Sequence, residues 1–548
     1  MEFEYTYNGS SSVESAPGQT SMSFAPDLKR EPTFFRGELA RSLEFREAIS
    51  ALNAVVVSDL RWKPKDKTAY KEWAQRQEIV DMAGVAAQRS TVATKINALR
   101  EELNTLYQQR STRMNAFWSA QQRYFDYLYT RDYDAWYVLD PVITVHPDEI
   151  FFECFSQDES SYGRLGCSYE VFQEIGEFSC GTTNIDYSRA LYDEFQKIRT
   201  YKTTRLEVDP TGFEVQTGRD DSYREVKIDL PDTWVRGFLQ VNSAMALPAV
   251  SFQLHPMDVA NCCFVLRRHR EIKGPRAMRY HLKPGEPVRV LFEPWGIEVP
   301  CPRSIYTGDK AHEIRVWGRR RLHILERLLP VARSVTVHLL GQGLPSFYIA
   351  DLGHMSFTLG LSGWTANDWA TAGNFDLLAP RAEVDSYTRQ QVFDALKERW
   401  FDTVDGLSGR LGLDRATVLG ALGAWTQAGR AIFDLNKGVY RVRELSRDPL
   451  PLSALRWSNP REEQAARFVK QRGAVRVTRT YRDPNGNLHL TGQVRDGSKT
   501  WTPSLTIDAD QRVTSAECGC SWYVRNRLYK GPCEHMLALR LMHAQQQS

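Results

Sequence analysis

Cys518, Cys520, Cys533 and His535 fall in the spacing C-x-C-x12-C-x-H. Three thiolates and an imidazole bunched this tightly are the donor set of a closed tetrahedral zinc site. The spacing also dictates local structure. Two residues along a helix rotate a side chain by about 200°, so Cys533 and His535 cannot both lie mid-helix and face one ion. They must sit where the chain enters the helix that Glu534 to Ala544 predicts, with Pro532 just ahead and Leu537, Ala538, Leu541 and Met542 on one face. Upstream, Val513 to Ala516 reads as a strand, and Gly519 is read as letting the backbone turn both of the first two sulfurs toward the ion.

This spacing in a strand-turn-loop-helix setting resembles the SWIM zinc finger, and Cys518, Cys520, Cys533 and His535 carry the resemblance. It implies a small ββα fold that binds Zn2+ and serves nucleic-acid or protein binding rather than chemistry.

At 548 residues the chain is too long for one core, so several domains are expected. With 42% hydrophobic and 25% charged residues the composition is that of an ordinary soluble protein, and no apolar run reaches the ~20 residues of a membrane span. The Met-Glu-Phe-Glu start has neither a basic nor an apolar signal region, which predicts a cytoplasmic address. Nine cysteines are few for this length and odd in number. Cys154, Cys167, Cys180, Cys262, Cys263 and Cys301 are therefore read as reduced, mostly buried thiols. Charge is uneven: from Pro451 onward there are 15 Lys and Arg against 8 Asp and Glu, so the zinc-motif region is the basic part. A basic module suits phosphate or an acidic protein face.

Residues 1–38, rich in Ser, Gly and Pro without periodicity, read as a disordered tail. Residues 39–140 read as helical, with a short seam of Val92, Ile96, Leu99, Leu103 and Leu106. Residues 141–383 carry short β-like runs between Pro and Gly and are read as one large mixed, β-rich domain. Within it, Trp364 and Trp369 are expected to anchor a loop, and Arg319, Arg320 and Arg321 to open an amphipathic helix with a solvated basic face.

Residues 384–446 give three helical patterns and a hairpin, which resemble a winged helix. Val392, Leu396 and Trp400 line the first helix, Leu407 and Leu411 the second, and Val418, Leu422 and Trp425 the third, which Asp414 is placed to cap. The third helix turns Arg415, Ala416, Thr417, Gly420, Ala421 and Ala424 outward, with one cation among them. Base reading needs more than that. The hairpin supplies Arg430, Lys437, Arg441 and Arg443, of which Lys437 and Arg441 are candidates for a partner or a nucleic-acid backbone. Residues 456–548 then read as a helix, a β-meander and the zinc motif.

The arrangements that catalysis requires are missing. There is no G-x-x-x-x-G-K-[ST] loop, no G-x-S-x-G and no second His in register with His312-Glu313. Four protein ligands leave a zinc no open position for an activated water. The fold expected is multidomain α+β: a helical N-terminal region, a large β-rich domain, a winged-helix-like module and a C-terminal ββα zinc finger. Together these resemble the bacterial SWIM zinc-finger proteins. That resemblance implies a non-enzymatic adaptor in an assembly with a MoxR-type AAA ATPase and a von Willebrand A-domain protein. In the linker between the ligand pairs, Arg525, Arg527 and Lys530 lie among Trp522 and Tyr523. Cations among aromatics can stack on single-stranded bases or grip an acidic protein helix, and the residues alone leave both open.

Overall fold

The computed structural model describes residues 12–16, 19–24, 33–58, 141–184, 195–196, 198–201, 203–208, 232–269, 277–341, 343–363, 369, 375–378, 384–445, 460–508 and 513–547. They form a mixed α/β protein with several antiparallel sheets. The Val92 to Leu106 seam and Trp364 lie outside the described residues.

The largest sheet has eight strands in the order Val250–Leu254, Ser334–Leu339, Ser346–Asp351, Met355–Leu361, Ser161–Ser168, Glu149–Phe155, Val142–Val145 and Gly181–Asn184, every neighbour antiparallel. The strands Glu149–Phe155 and Ser161–Ser168 are buried along almost their whole length, so period-two alternation gives them two inner faces of different chemistry. Ile150, Phe152, Cys154 and Leu165 join the core beneath the helix Ser42–Val56, which buries Phe45, Ile49, Leu52 and Val55. Gly163 permits that approach, since a Cβ there would lie 2.9 Å from Val55 Cγ2. Glu149, Glu153, Tyr162 and Arg164 alternate to the opposite face. A second sheet, in the order Ile297–Ile305, Pro287–Phe292, Ala277–Leu282 and His312–Trp317, shares the first core with the helix Pro256–Arg268.

Three expectations change. Within the stretch read as a disordered tail, Ser12–Ala16, Gln19–Phe24 and Phe35–Leu39 are strands of a five-stranded sheet built around Thr203–Val208. Their ladder partner lies far along the chain, where local pattern gives no signal. The helix Ser42–Val56 belongs to the large core rather than to a separate helical region. Arg319 and Arg321 are buried in a 3-10 helix, Arg319–Arg327, instead of facing solvent from an α-helix. Arg319 Nη1 donates to the Ala277 carbonyl at 2.8 Å and its guanidinium lies over Trp295, while Arg321 Nη1 donates to the Ser160 carbonyl at 2.8 Å. Carbonyls and a ring, invisible in sequence, take the place of water. Trp369 is fully buried against Phe347 and Phe375, as an anchor should be.

Residues 384–445 form three helices, Ser386–Arg399, Val404–Leu411 and Arg415–Gln427, and a three-stranded sheet of Phe401–Asp402, Val439–Val442 and Ala431–Asp434. Asp385, Thr403 and Asp414 cap the three helices by accepting from the backbone N–H groups of Thr388, Gly406 and Thr417, each at 2.9 Å. Val392, Leu396, Leu407, Val418, Leu422 and Trp425 make a core of their own.

The hairpin of this unit docks on the charged face of the large sheet. Arg441, fully buried, reaches Asp434 at 2.8 Å, Asp148 at 2.8 Å and Glu149 at 3.4 Å. Arg164 pairs with Glu149 and, at 3.3 Å, with Asp434; Arg443 reaches Glu153 at 3.3 Å. His146 Nε2 lies 2.6 Å from the Val442 carbonyl, which requires Nε2–H, and Nδ1 then accepts from Arg441 Nη1 at 3.4 Å.

That docking has a pH dependence of fixed sign. Burial, with Arg441 adding to it, lowers His146 to about 4 from 6.5. The folded protein keeps the ring neutral while the unfolded chain protonates near 6.5, so the contribution is complete above pH 6.5 and lost as pH falls toward 4, roughly 3 kcal/mol in all. Burial works to raise Glu149 and Asp434, but Arg164 and Arg441 outweigh it and hold both below the usual carboxylate range, so their contribution fades only below about pH 4. Urea unfolding between pH 7 and 4.5 is expected to give a falling stability that His146→Gln flattens. An unchanged slope in that variant would assign the dependence elsewhere.

Candidate metal centre

The C-terminal unit begins with the helix Pro460–Lys470. A meander follows, in which Val475–Arg482, Leu488–Asp496, Ser504–Ile507 and Val513–Glu517 pair in that order and Lys499–Trp501 adds to the second strand. The last strand delivers Cys518 and Cys520. Cys520 then caps a short helix, Ser521–Asn526, its sulfur accepting from the Tyr523 N–H at 3.4 Å. Cys533 and His535 sit at the entry of the final helix, Glu534–Gln547, where the geometry of a two-residue step requires them. Gly519 does not act as expected. Its φ is not left-handed, and a Cβ there would meet only Trp501 ring atoms at 3.9 Å, so the turn does not demand glycine.

Cys518, Cys520, Cys533 and His535 are all buried, at 7%, 3%, 0% and 1% exposure, and their donor atoms lie within 4.8 Å of one another. The Cys518 sulfur is 4.0 Å from His535 Nδ1. A tetrahedral zinc with bonds of about 2.0 to 2.3 Å sets donors roughly 3.3 to 3.8 Å apart, so closure by at most about 1.5 Å suffices. The buried Cys3His group can hold a metal ion.

The surroundings orient the imidazole. Phe468 stacks on His535 with centroids 5.7 Å apart and 15° between the planes, and Trp501 closes the other side at 5.6 Å. With Nδ1 turned to the sulfurs, Nε2 is buried without a hydrogen bond, 3.7 Å from the half-exposed Asp496 carboxylate. A small shift of that carboxylate would let it accept a hydrogen bond from Nε2–H and fix the ring for ligation. Hydrogen bonds from Cys518 and Cys533 lower the pKa of the Cys520 thiol. Burial opposes a charged imidazole, yet the Cys518 and Cys520 sulfurs raise His535 to about 10. Without metal the four groups share protons, and a cation takes over that role.

The residues expected to meet a partner divide sharply. Tyr523 is buried and its hydroxyl donates to the Ala516 carbonyl, while Trp522 is half-buried beneath the Arg461 guanidinium, 4.0 Å from the ring centroid. Neither is an open stacking platform. Lys530 is half-buried, with its carbonyl accepting from Arg461 Nη2 at 2.9 Å. Arg525 and Arg527 are exposed. They line one wall of a cleft of about 430 Å³, with Glu517 beside them and with Arg315 and Trp317 of the second sheet opposite. Arg315, a cleft residue, is absent from the sequence reading. Its signal lies only in the Arg315-Val316-Trp317 alternation, which puts cation and ring on one side of a strand.

The cations singled out in residues 384–445 are committed within the protein. Arg441 is buried in the ion cluster, and Lys437 Nζ lies 3.0 Å from Asp148 and 2.9 Å from Glu149, so neither is offered outward as expected. Arg430 pairs with Glu444 and Arg415 with Asp405. Gly420 and Ala421, read as outward, are buried. The helix Asp232–Met245 packs along the third helix, where Gln427 Nε2 donates to Ser243 Oγ at 2.8 Å. Small residues on that face serve helix packing.

No family model and no curated protein matches the chain. Among solved structures, similarity is found to the proliferating cellular nuclear antigen of Entamoeba histolytica, with TM-score 0.31 and 8% identity over 60% of this chain and 97% of that one. A structure of the C-terminal region of FEN-1 bound to A. fulgidus PCNA gives TM-score 0.27 and 11% identity over 41% and 89%. Scores this low define no shared fold. No helix among the described residues is long and apolar enough to cross a membrane.

Proposed function

We propose that the Cys3His group binds zinc as a structural ion in a SWIM-like finger, and that the chain is a non-enzymatic adaptor whose cleft beside that finger grips an acidic protein segment. The carrying observation is the cleft itself, about 430 Å³, which the exposed Arg525 and Arg527 of the linker line together with Arg315, a residue already paired with Glu293. Four buried protein donors leave the ion no position for substrate or water, which argues for scaffolding over catalysis. Glu517 on the same wall disfavours a run of phosphates. The two linker aromatics are occupied within the fold, and the hairpin cations are tied to carboxylates, so little remains for stacking on bases or tracking a nucleic-acid backbone. The SWIM resemblance adds an AAA-type ATPase and a von Willebrand A-domain protein as the partners to try first.

The test uses the full chain with Arg525→Glu and Arg527→Glu together, measured against an acidic peptide and against single-stranded DNA and RNA across a salt series. Peptide affinity is expected to fall at least tenfold with the fold intact, as reversal of two rim charges implies. Binding to single strands with a log-log salt slope of about −0.7 per phosphate, abolished by the same variant, would replace the protein reading with the nucleic-acid one.

A further inference from the structure

Cys263, His323 and Glu326 form a second cluster of metal-ligating side chains, remote in sequence from the first, with donor atoms all within 4.8 Å of one another. Cys263 lies on the helix Pro256–Arg268, fully buried, its thiol donating to the Leu322 carbonyl at 3.7 Å. His323 and Glu326 lie on the 3-10 helix Arg319–Arg327, which packs against it. The helix type matters. At three residues per turn, positions i and i+3 eclipse, so His323 and Glu326 project in one direction, and His323 Nδ1 stands 3.2 Å from Glu326 Oε1. A tetrahedral ion bound by both atoms sets them about 3.3 Å apart.

A second observation points to a ligand. Glu326 Oε1 is buried and makes no hydrogen bond: His323 Nδ1 at 3.2 Å and Arg267 Nε at 3.1 Å approach it as ion-pair partners but out of hydrogen-bonding alignment. A buried carboxylate oxygen left in that state is a place where a cation gains. Arg267 is the competitor, and at 61% exposure it can swing to water without disturbing the core.

We propose that Cys263, His323 and Glu326 bind a second divalent cation of the zinc class. A thiolate with an imidazole selects borderline-soft ions over magnesium or calcium. Both His323 and Glu326 are partly exposed, at 31% and 27%, so a water completes the fourth position from the solvent side. The ion joins the two helical segments, a link separate from the Cys3His group and independent of the adaptor reading.

The experiment is zinc stoichiometry of the full chain by elemental analysis after dialysis against trace zinc, with cobalt(II) titration as the spectroscopic readout. Wild type is expected to hold two equivalents, and Cys533→Ser and His323→Gln to lose one each, from different sites. Because Cys263→Ser alters a buried position, His323→Gln at the partly exposed one is the decisive variant, with an expected loss of affinity of at least about tenfold. Arg267→Ala should tighten this site several-fold by removing the competitor, which a purely structural ion pair would not do. The proposal is overturned if His323→Gln and Cys263→Ser leave stoichiometry and cobalt spectrum as in wild type, or if wild type holds a single equivalent that Cys533→Ser alone removes.

Discussion

Cys520→Ser is expected to abolish metal binding at the Cys3His group and to open residues 460–547 to protease while the rest of the chain stays protected. The unit is small. Its sheet offers Leu488, Leu490, Leu505 and Ile507, its last helix Met536 and Leu539, and the ligand cysteines fill the space between them. Structural zinc in modules of this size binds with on the order of 10 kcal/mol or more, comparable to the whole stability of an ordinary domain. Serine at a 3% exposed position also buries a hydroxyl where the thiolate stood. His535→Ala is expected to act likewise, emptying the space between Phe468 and Trp501. Limited proteolysis read by mass spectrometry checks the outcome. Chelation of wild type supplies the arm without mutation. A metal-free protein whose C-terminal unit resists protease would sink the zinc reading.

Arg441→Met should cost about 3 to 5 kcal/mol, the usual consequence of removing one partner from a buried ion cluster and leaving the other charges uncompensated. Asp148, Glu149 and Asp434 would be left with Arg164 and Lys437 against them, Glu149 and Asp434 still buried. The loss should localise to docking of the hairpin, so hydrogen exchange across residues 431–442 is expected to accelerate more than across the three-helix core. Arg415→Ala provides the contrast. Its pair with Asp405 is exposed, and pairs of that kind contribute well under 1 kcal/mol. Equal effects from the two substitutions would mean that the hairpin is held mainly by something other than Arg441.

What the sequence discloses depends on how local the cause is. The helix cap at Asp414 and the entry of Cys533 and His535 into the last helix follow from residues within one turn, and the structure has them in place. The donors of the metal group were legible for the same reason: their convergence is set by spacing. Charged residues misled wherever their partner came from afar. Arg441 looked like a free hairpin cation and is buried because Asp148 and Glu149, some 290 residues earlier, face it. Arg319 and Arg321 looked like a solvated face and instead bind carbonyls of another sheet and a distant turn. The Gly420 and Ala421 face looked open because the helix that covers it lies at Asp232–Met245. The same limit hid Arg315 from the cleft, since a lone arginine on a strand carries no local mark of what will stand opposite.

The register Ser161–Ser168 against Met355–Leu361 joins segments separated by roughly 190 residues at the middle of the largest sheet. During synthesis at about 5 to 20 residues per second, the earlier strand waits on the order of 10 to 40 seconds for its neighbour. Until then it presents an unpaired row of backbone donors and acceptors flanked by apolar side chains, the kind of edge that seeds association between nascent chains. Sheet closure is therefore a late, slow event dominated by long-range pairing. A pulse of hydrogen exchange during refolding should find the amides of Met355–Leu361 among the last to be protected.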